Sequence, residues 1–342
     1  MKVTIHTLTA AALAIACVAG EARAQTPAEF FKGRSINLLI GSGEGGGFDA
    51  SARLAAQFMP RYLPGPPNLV PQNTPGASGL RVAELISNIS PRDGTAIGIT
   101  QPQMVLNKVL DPNGRYRPQD FGWIGRLGSF MTFIVVRRDA PVQSLADAKA
   151  KKLIVSGAAP SGPGVMVPMA LNRLIGTKFS IVSGYKSAQD SGLALERGEV
   201  EGIGSAAFEF VDSKGWLKTG FARMLFTIGL TRHAQFPDTP TVVELIDDPR
   251  DASVMKLIVV GSAIGRAFIA PPGVPPDRLA AQREAFDKMV RDPEFIAEST
   301  KRGFDVDPMT GVELQKMVAD AMSVGDDVAQ RTRDVTRLDG AN

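Results

Sequence analysis

The sequence has 342 residues, 44% of them hydrophobic, and a formal net charge of +3 at pH 7. Because the charges are spread along the chain without a basic block, the composition argues against a nucleic-acid-binding surface. The single cysteine, Cys17, lies near the amino terminus, so the rest of the chain has no thiol for a disulfide, a nucleophile or a metal site.

The first 24 residues predict an export signal. Lys2 provides a positive start, residues 8–19 form an apolar stretch, and residues 22–24 read Ala-Arg-Ala, a small-x-small cleavage site. Cleavage after Ala24 gives a periplasmic chain that begins at Gln25. Residues 14–17 offer an alternative, a lipoprotein box at Cys17. No later apolar run reaches the roughly 18 residues that a membrane helix needs.

From residue 36 onward, short β-rich segments alternate with helical segments, a pattern that predicts parallel strands joined by crossover helices. In the first series we expect strands at 36–41, 68–71 and 95–100 and helices at 50–59 and 80–87. Asp49 is expected to be the N-cap of the first helix.

A second series of the same kind follows, with strands or helices expected at 153–156, 165–174, 179–182, 187–197, 200–204 and 223–228. Segments 130–136 and 256–269 are interpreted as strands that cross between two lobes, and the remaining helices, at 276–290, 293–301 and 312–332, as returning to the first lobe. The prediction is an α/β chain with a discontinuous lobe 1 (25–129 and 268–342) and a lobe 2 (130–267), joined by a two-strand hinge. The length also favours two lobes, since a single core rarely grows beyond roughly 250 to 300 residues.

Residues 41–46, Gly-Ser-Gly-Glu-Gly-Gly, stand between a predicted strand and a predicted helix and fit the pattern of a dinucleotide-binding loop. No acidic residue closes the second strand, which argues against a nicotinamide nucleotide. A tight glycine turn without any ligand is a second interpretation. We favour a third, in which backbone N–H groups and the helix N-terminus bind an anion such as a carboxylate.

Similar loops recur at 73–79 and 156–164, also before helices. Because ligands of open α/β sheets bind beyond the carboxyl ends of the strands, three such loops predict one shared cleft. Polar or aromatic candidates beside this cleft are Phe48, Gln101, Gln103, Tyr185, Lys186 and Ser205. A surface turn is the alternative for the pair at 185 and 186.

Catalytic sites find little support in the sequence. After the signal, His233 is the only histidine, and no G-x-S-x-G elbow accompanies it, so we interpret it as a solvated loop residue. A metal site needs more histidine ligands or an Asp-rich calcium loop. An exported hydrolase or a nucleotide-binding enzyme is the alternative from another class, and we expect no catalytic residues, no metal and no cofactor.

Several motifs in order resemble one family. Residues 45–53 read G-G-G-F-D-A-S-A-R, residues 73–79 read N-T-P-G-A-S-G, residues 184–186 read G-Y-K, and residues 236–241 and 270–275 read F-P-D-T-P-T and A-P-P-G-V-P. On these motifs the chain resembles the substrate-binding proteins of tripartite tricarboxylate transporters, the TctC or Bug group.

The resemblance implies a type 2 periplasmic binding protein fold, with two lobes of mostly parallel sheet flanked by helices and a carboxylate bound between them. The ligand contacts that it implies fall on Ser42, Gly43, Glu44, Gly45, Gly46, Gly47, Phe48, Asp49, Asn73, Pro75, Gly76, Ala77, Gly79, Ser156, Gly157, Ala158, Ala159, Ser161, Gly162, Tyr185, Lys186 and Ser187. Phe48 replaces a small polar residue of the family, which favours an apolar or aromatic ligand body. The expected partners are a small di-, tri- or aromatic carboxylate and the membrane components of such a transporter, without nucleic acid, and the chain is expected to be a monomer. A receptor that feeds a sensor kinase is the alternative among binding proteins.

Overall fold

The computed structural model describes residues 25–304 and 306–337, which form an α/β protein with two β-sheets. The predicted signal, with Cys17 and the cleavage site, lies outside the described residues. The strands are β1 (Ser35–Ile40), β2 (Asn68–Asn73), β3 (Ala96–Ile99), β4 (Gly122–Arg126), β5 (Thr132–Arg137), β6 (Leu153–Ser156), β7 (Phe179–Val182), β8 (Gly202–Ala207), β9 (Ala222–Ile228), β10 (Ala267–Ala270) and β11 (Met309–Thr310).

The helices lie between these strands and after the last one. They are α1 (Pro27–Phe31), α2 (Gly47–Phe58), α3 (Leu80–Asn88), α4 (Met104–Leu110), α5 (Leu145–Ala150), α6 (Pro163–Ile175), α7 (Ala188–Arg197), α8 (Phe208–Ser213), α9 (Trp216–Thr219), α10 (Pro249–Ile264), α11 (Pro276–Met289), α12 (Pro293–Lys301), α13 (Gly311–Met322) and α14 (Asp326–Thr336). Short 3₁₀ turns occur at Met59–Arg61, Ala77–Gly79 and Pro118–Asp120.

The two sheets share one arrangement. The first has the order β11-β4-β10-β3-β1-β2, and the second has the order β7-β6-β8-β5-β9. In each sheet, consecutive strands pair in parallel, β1 with β2 and β3 and β6 with β7 and β8. Each sheet then takes up an antiparallel strand that follows a crossing between the sheets, β10 in the first and β5 in the second. The first sheet also has β11 at its edge, antiparallel to β4. The predicted α/β architecture with two lobes is confirmed.

The connections between the lobes differ from the prediction in one respect. Residues 127–131 form the first connection, between β4 and β5, but the second leads through helix α10. The predicted crossing strand at 256–269 is therefore wrong except at β10. Helix α10 packs against α4, α6 and α14, so every residue from 254 to 260 except Lys256 is buried. A helix that packs against neighbours on several sides has only a narrow polar face, so its 3.6-residue pattern is weak and its apolar run resembles that of a strand.

The carboxyl-terminal helices cover the first sheet. Helices α11 and α13 pack against β4, whereas α14 contacts both α4 of the first lobe and α6 of the second. The single helix predicted at 312–332 is divided at residues 323–325, where Gly325 becomes the N-cap of α14. The assignment of all of 268–342 to lobe 1 stays a prediction.

Candidate functional site

The loops that follow the parallel strands of the first sheet meet at its carboxyl edge. Thr74 N, after β2, donates to Ile40 O, at the end of β1, over 2.8 Å. A Cβ on Gly41 would stand 3.3 Å from Gly79 O, so a side chain at this position would crowd the neighbouring loop. The structure thus brings the first two predicted glycine loops side by side.

A buried carboxylate holds these two loops together. Asp49 is only 4% exposed, and its Oδ2 accepts a hydrogen bond from Gly45 N at 2.9 Å. Its Oδ1 accepts from Arg53 Nε at 2.9 Å and from Asn73 Nδ2 at 2.8 Å. Asn73 Nδ2 also donates to Ser42 O at 3.1 Å, and Arg53 Nη2 donates to Asn73 Oδ1 at 2.6 Å. The side chains of Asp49 and Asn73, both predicted to contact ligand, are thus engaged within the loops.

The expectation that Asp49 caps helix α2 is wrong. The helix begins at Gly47, Gly46 is its N-cap with extended backbone angles (φ −79°, ψ 167°), and Asp49 is the third helical residue. From there its carboxylate reaches back to the loop. Burial by itself would raise the pKa of Asp49, but hydrogen bonds from Arg53, the Gly45 amide and Asn73 outweigh it and lower this pKa below its ordinary value.

The glycine stretch in front of α2 is open to solvent and offers hydrogen-bond donors. Residues 43–47 are exposed, and the N–H groups of Gly43, Glu44, Gly46 and Gly47 donate to no acceptor among the described residues. Next to them, Ser42 Oγ is buried and has no hydrogen-bond partner within the described chain. Buried polar atoms in native proteins are nearly always paired, so such an atom indicates a place for a ligand or a water.

The second glycine loop of this lobe has an unusual backbone. Gly76 and Gly79 have φ of 137° and 87°, and Ala77, with φ 46°, is in the left-handed region that few non-glycine residues adopt. A Cβ on Gly79 would lie 2.3 Å from Gln101 Cγ, so the predicted Gln101 packs directly on this loop. Pro75, Gly76 and Ala77 are exposed at the edge of the sheet.

The second lobe has an equivalent loop after its own first parallel strand. Ser156, the last residue of β6, is 0% exposed, and its Oγ also has no partner in the described residues. Gly157 packs on the start of α6, where a Cβ would lie 2.6 Å from Val165 Cγ2. Ala158, Ala159 and Ser161 are exposed before the N-cap, Gly162. Both lobes therefore end their first parallel strand in a loop with an unpaired serine hydroxyl.

The remaining second-lobe candidates lie at the same edge but in different environments. Ser205 Oγ donates to Thr132 Oγ1 at 2.8 Å. Tyr185 is half-buried against the core of the lobe, and Lys186 is exposed. Ser187 is the N-cap of α7, where its Oγ accepts from the Asp190 amide at 3.1 Å.

A small cavity of about 40 Å³ lies between the lobes. Of the predicted residues it brings together Gln103, from the first lobe, and Ser161, from the second. The other lining residues are largely apolar and come from both lobes, the first connection and helix α10: Pro102, Leu106, Phe130, Thr132, Pro163, Met166, Ile228, Ile258, Val259, Gly261 and Ser262. The remaining predicted residues do not line it.

His233 does not occupy the solvated loop position expected of it. It is half-buried, and its ring packs against those of Phe133, Phe208 and Phe236 at centroid distances of 5.5, 5.9 and 5.5 Å. Its Nδ1 accepts from Gln235 N at 3.2 Å. Aromatic residues far apart in sequence converge here, which the local polar segment around His233 does not reveal.

Sequence reasoning missed one charged residue at this edge of the first lobe. The guanidinium carbon of Arg266 lies 5.9 Å from the ring centroids of both Phe48 and Phe130. Its Nη2 lies 3.6 Å from the position of a Cβ on Gly47. The sequence does distinguish this residue, since Arg266 is the only charged residue in the apolar run from 257 to 270.

Within residues 25–304 and 306–337, no helix is long and apolar enough to cross a membrane. The same residues contain no group of three or more His, Cys, Asp or Glu side chains that could hold a metal ion.

Comparison with known families identifies the group to which this architecture belongs. Residues 52–332 match the model of the tripartite tricarboxylate transporter family receptor, TctC. The chain belongs to this family. Its members are periplasmic solute-binding receptors and not enzymes.

Individual relatives agree with this assignment. A UPF0065 protein encoded in the gbd 5′ region of Cupriavidus necator is 29% identical over 295 residues, which cover 83% of each chain. Among solved structures, a TctC solute-binding protein from Polaromonas aligns with a TM-score of 0.68 at 20% identity, over 88% of this chain and 97% of that one. An R. palustris protein with adipate aligns with a TM-score of 0.58 at 20% identity, over 87% and 97%. These structures share the fold of this TctC-family chain.

Proposed function

We propose that this receptor binds a small carboxylate between its two lobes and delivers it to the membrane components of a tripartite tricarboxylate-type transporter. One observation carries the proposal. In each lobe, an exposed loop follows the first parallel strand, and at the start of that loop is a buried serine hydroxyl without a partner among the described residues, Ser42 in one lobe and Ser156 in the other. In the first lobe, four backbone N–H groups that donate to no acceptor in the described part of the chain accompany the hydroxyl.

These donors suit a carboxylate. Hydrogen bonds to a charged acceptor are stronger than those between neutral groups, and backbone donors fixed by their loop lose little entropy when they bind. The N-termini of α2 and α6 lie directly behind the loops and favour negative charge. The adipate in the R. palustris structure is a carboxylate of the proposed kind.

The proposed location is the periplasm, reached after removal of residues 1–24. Bound ligand would favour a closed arrangement of the lobes, because only there can donors from both loops reach the same molecule. Residues 127–131 and helix α10 are the connections about which the lobes would turn.

Ser156→Ala is the variant that tests this site most directly. Because the Ser156 hydroxyl has no partner among residues 25–304 and 306–337, its removal should leave the melting temperature of the free protein unchanged or slightly raised. If the hydroxyl donates to a carboxylate, the same change should weaken binding roughly tenfold. Calorimetric titration of residues 25–342 with mono-, di- and tricarboxylates measures the affinity, with NAD and sugars as negative controls.

Ser299→Ala provides the matched control. Ser299 is also 0% exposed, but its Oγ donates to Phe295 O at 2.8 Å, within α12. This change should lower stability and leave affinity unaltered. The proposal would be contradicted by a wild-type protein that binds no carboxylate, or by equal affinities of the Ser156 variant and the wild type.

Delivery is tested by uptake of the bound carboxylate in cells that produce the receptor with and without the transporter's membrane components.

A further inference from the structure

Arg266 lies at the edge of the first sheet where the proposed ligand binds. Strand β10 runs antiparallel to β3, with Phe268 opposite Ile99, so Arg266 extends beyond the carboxyl end of β3 at the level of Gln101. Its backbone N–H donates to Gly128 O, and its carbonyl accepts from Leu127 N, both at 3.0 Å. The main chain of Arg266 is therefore held by the first connection between the lobes.

The residue before Arg266 also restricts the position of the Arg266 main chain. Gly265 has φ 53°, and a Cβ there would lie 2.0 Å from Gly128 O. Only glycine tolerates both the backbone angle and this approach. The origin of the Arg266 side chain is thus fixed relative to the sheet edge.

The side chain points toward the first glycine loop. Its Nη2 lies near Gly47, the first residue of α2, and the rings of Phe48, Phe130 and Phe304 surround the guanidinium at 5.7 to 5.9 Å. A guanidinium and a helix N-terminus are both positive, so their proximity favours an anion placed between them. The same loop carries the N–H groups of Gly43, Glu44, Gly46 and Gly47, which donate to no acceptor among the described residues.

The residues around Arg266 also indicate what kind of molecular body is attached to the anionic group. Phe130 is 36% exposed and lines the cavity between the lobes, whose wall is largely apolar. A ligand whose carboxylate lies at Arg266 would therefore have Phe48 and Phe130 beside it and the apolar wall ahead of it. A body rich in hydroxyl groups would lose hydrogen bonds to water there without replacing them.

We infer that Arg266, with Phe48 and Phe130, is the specificity-determining cluster of the receptor and selects carboxylates with an apolar or aromatic body over hydroxylated di- and tricarboxylates. This inference rests on the proposed function. In it, Arg266 binds the ligand carboxylate together with the loop amides, and the two rings contact the ligand body.

The test is calorimetric titration of the wild type, Arg266→Gln and Phe48→Ala with benzoate, hexanoate, malate and citrate. The wild type should prefer benzoate or hexanoate. Arg266→Gln should weaken their binding by roughly 10- to 100-fold, since a charge-assisted hydrogen bond is lost. Phe48→Ala should reduce the preference for these ligands over malate, by several-fold or more.

Arg61→Gln is the matched control, because Arg61 also lies over a phenylalanine ring, Phe58, but far from the cleft in the fold, where it pairs with Glu294. It should bind like the wild type. If the wild type binds carboxylates but Arg266→Gln binds them equally well, or if malate and citrate bind best, the inference is wrong and the proposed function stands. If the wild type binds no carboxylate of any class, both fail. Melting temperatures of the free variants separate a loss of affinity from a loss of folded protein.

Discussion

Asp49→Asn is the change that most directly probes how the proposed ligand-binding edge is built. The carboxylate accepts from three donors, with Gly45 N on one oxygen and Arg53 and Asn73 on the other. An asparagine has the same shape but only one acceptor oxygen. Whichever way its amide turns, an NH₂ group faces at least one donor that is left without an acceptor.

The expected loss of stability follows from the less damaging orientation of the asparagine side chain. In this orientation its oxygen still accepts hydrogen bonds from Arg53 and Asn73, and its amide nitrogen faces Gly45 N. A buried donor left unpaired costs about 1–3 kcal/mol, and the lost charge interaction with Arg53 adds less than about 1 kcal/mol because that side chain is 41% exposed. We expect the free energy of unfolding to fall by about 2 kcal/mol, which corresponds to a melting temperature lower by about 4 °C. Carboxylate affinity should fall roughly tenfold, because the amides of the glycine loop are no longer held in place.

The effect should also depend on pH. The folded-state pKa of Asp49 is lowered, so its contribution to stability is fully present above the ordinary aspartate pKa and is lost as the pH falls through the folded value. The difference in unfolding free energy between wild type and variant, measured by urea denaturation at pH 7 and near pH 3, should therefore shrink in acid. Asp147→Asn, on the surface of the second lobe, is the control that should leave affinity unchanged. Wild-type stability and affinity in the Asp49 variant would refute the role given to this carboxylate.

Three further changes test other parts of the fold. Gly79→Ala should destabilise the protein by about 1–3 kcal/mol in urea denaturation, because φ is 87° and its Cβ would collide with a glutamine side chain; Gly43→Ala, where a Cβ meets nothing within 4 Å, should cost much less. Arg126→Gln should lower the free energy of unfolding by about 1–3 kcal/mol, since this buried guanidinium donates to the backbone and carboxylate of Asp307, and unchanged stability would contradict that. Arg173→Gln should increase hydrogen exchange at the end of α14, whose last carbonyls Arg173 Nη1 contacts, without altering exchange in α2.

The two-lobed α/β architecture could be predicted because the strands are short apolar segments bounded by turn residues. Strands β6 and β7 have the bounds that the pattern gave, and most other predicted elements are displaced by one to three residues. The prediction failed where burial removes the pattern. Helix α10 has only a narrow polar face because it packs against α4, α6 and α14. Strand β4 was overlooked because all five of its residues are buried, which leaves no alternation of polar and apolar residues.

The candidate site, like the fold, could be predicted from the sequence only in part. The glycine loops were recognisable because their composition between a strand and a helix has a physical meaning in the sequence itself. The contribution of Arg266 was not recognisable in the sequence. It depends on the antiparallel pairing of β10 with β3, which joins residues more than 160 positions apart. The role of Asp49 was misjudged for a related reason: its partner Asn73 is the last residue of another strand, β2, and is near only once β1 and β2 have paired.

The carboxyl-terminal helix restricts how the lobes can turn about their connections. Arg333, on α14, donates through Nη1 to Val109 O of the first lobe at 3.0 Å, whereas Arg173, on α6 of the second lobe, donates through its Nη1 to Val335 O at 2.9 Å. If one lobe rotates against the other and both contacts stay intact, the rotation axis must lie close to α14. Helix α10 packs along α14 and is itself the second connection, so the helices beside that axis are also those that join the lobes. In the proposed closure, the helices beside that axis would therefore move little, and the glycine loops at the carboxyl edges of the sheets would move more than these helices do.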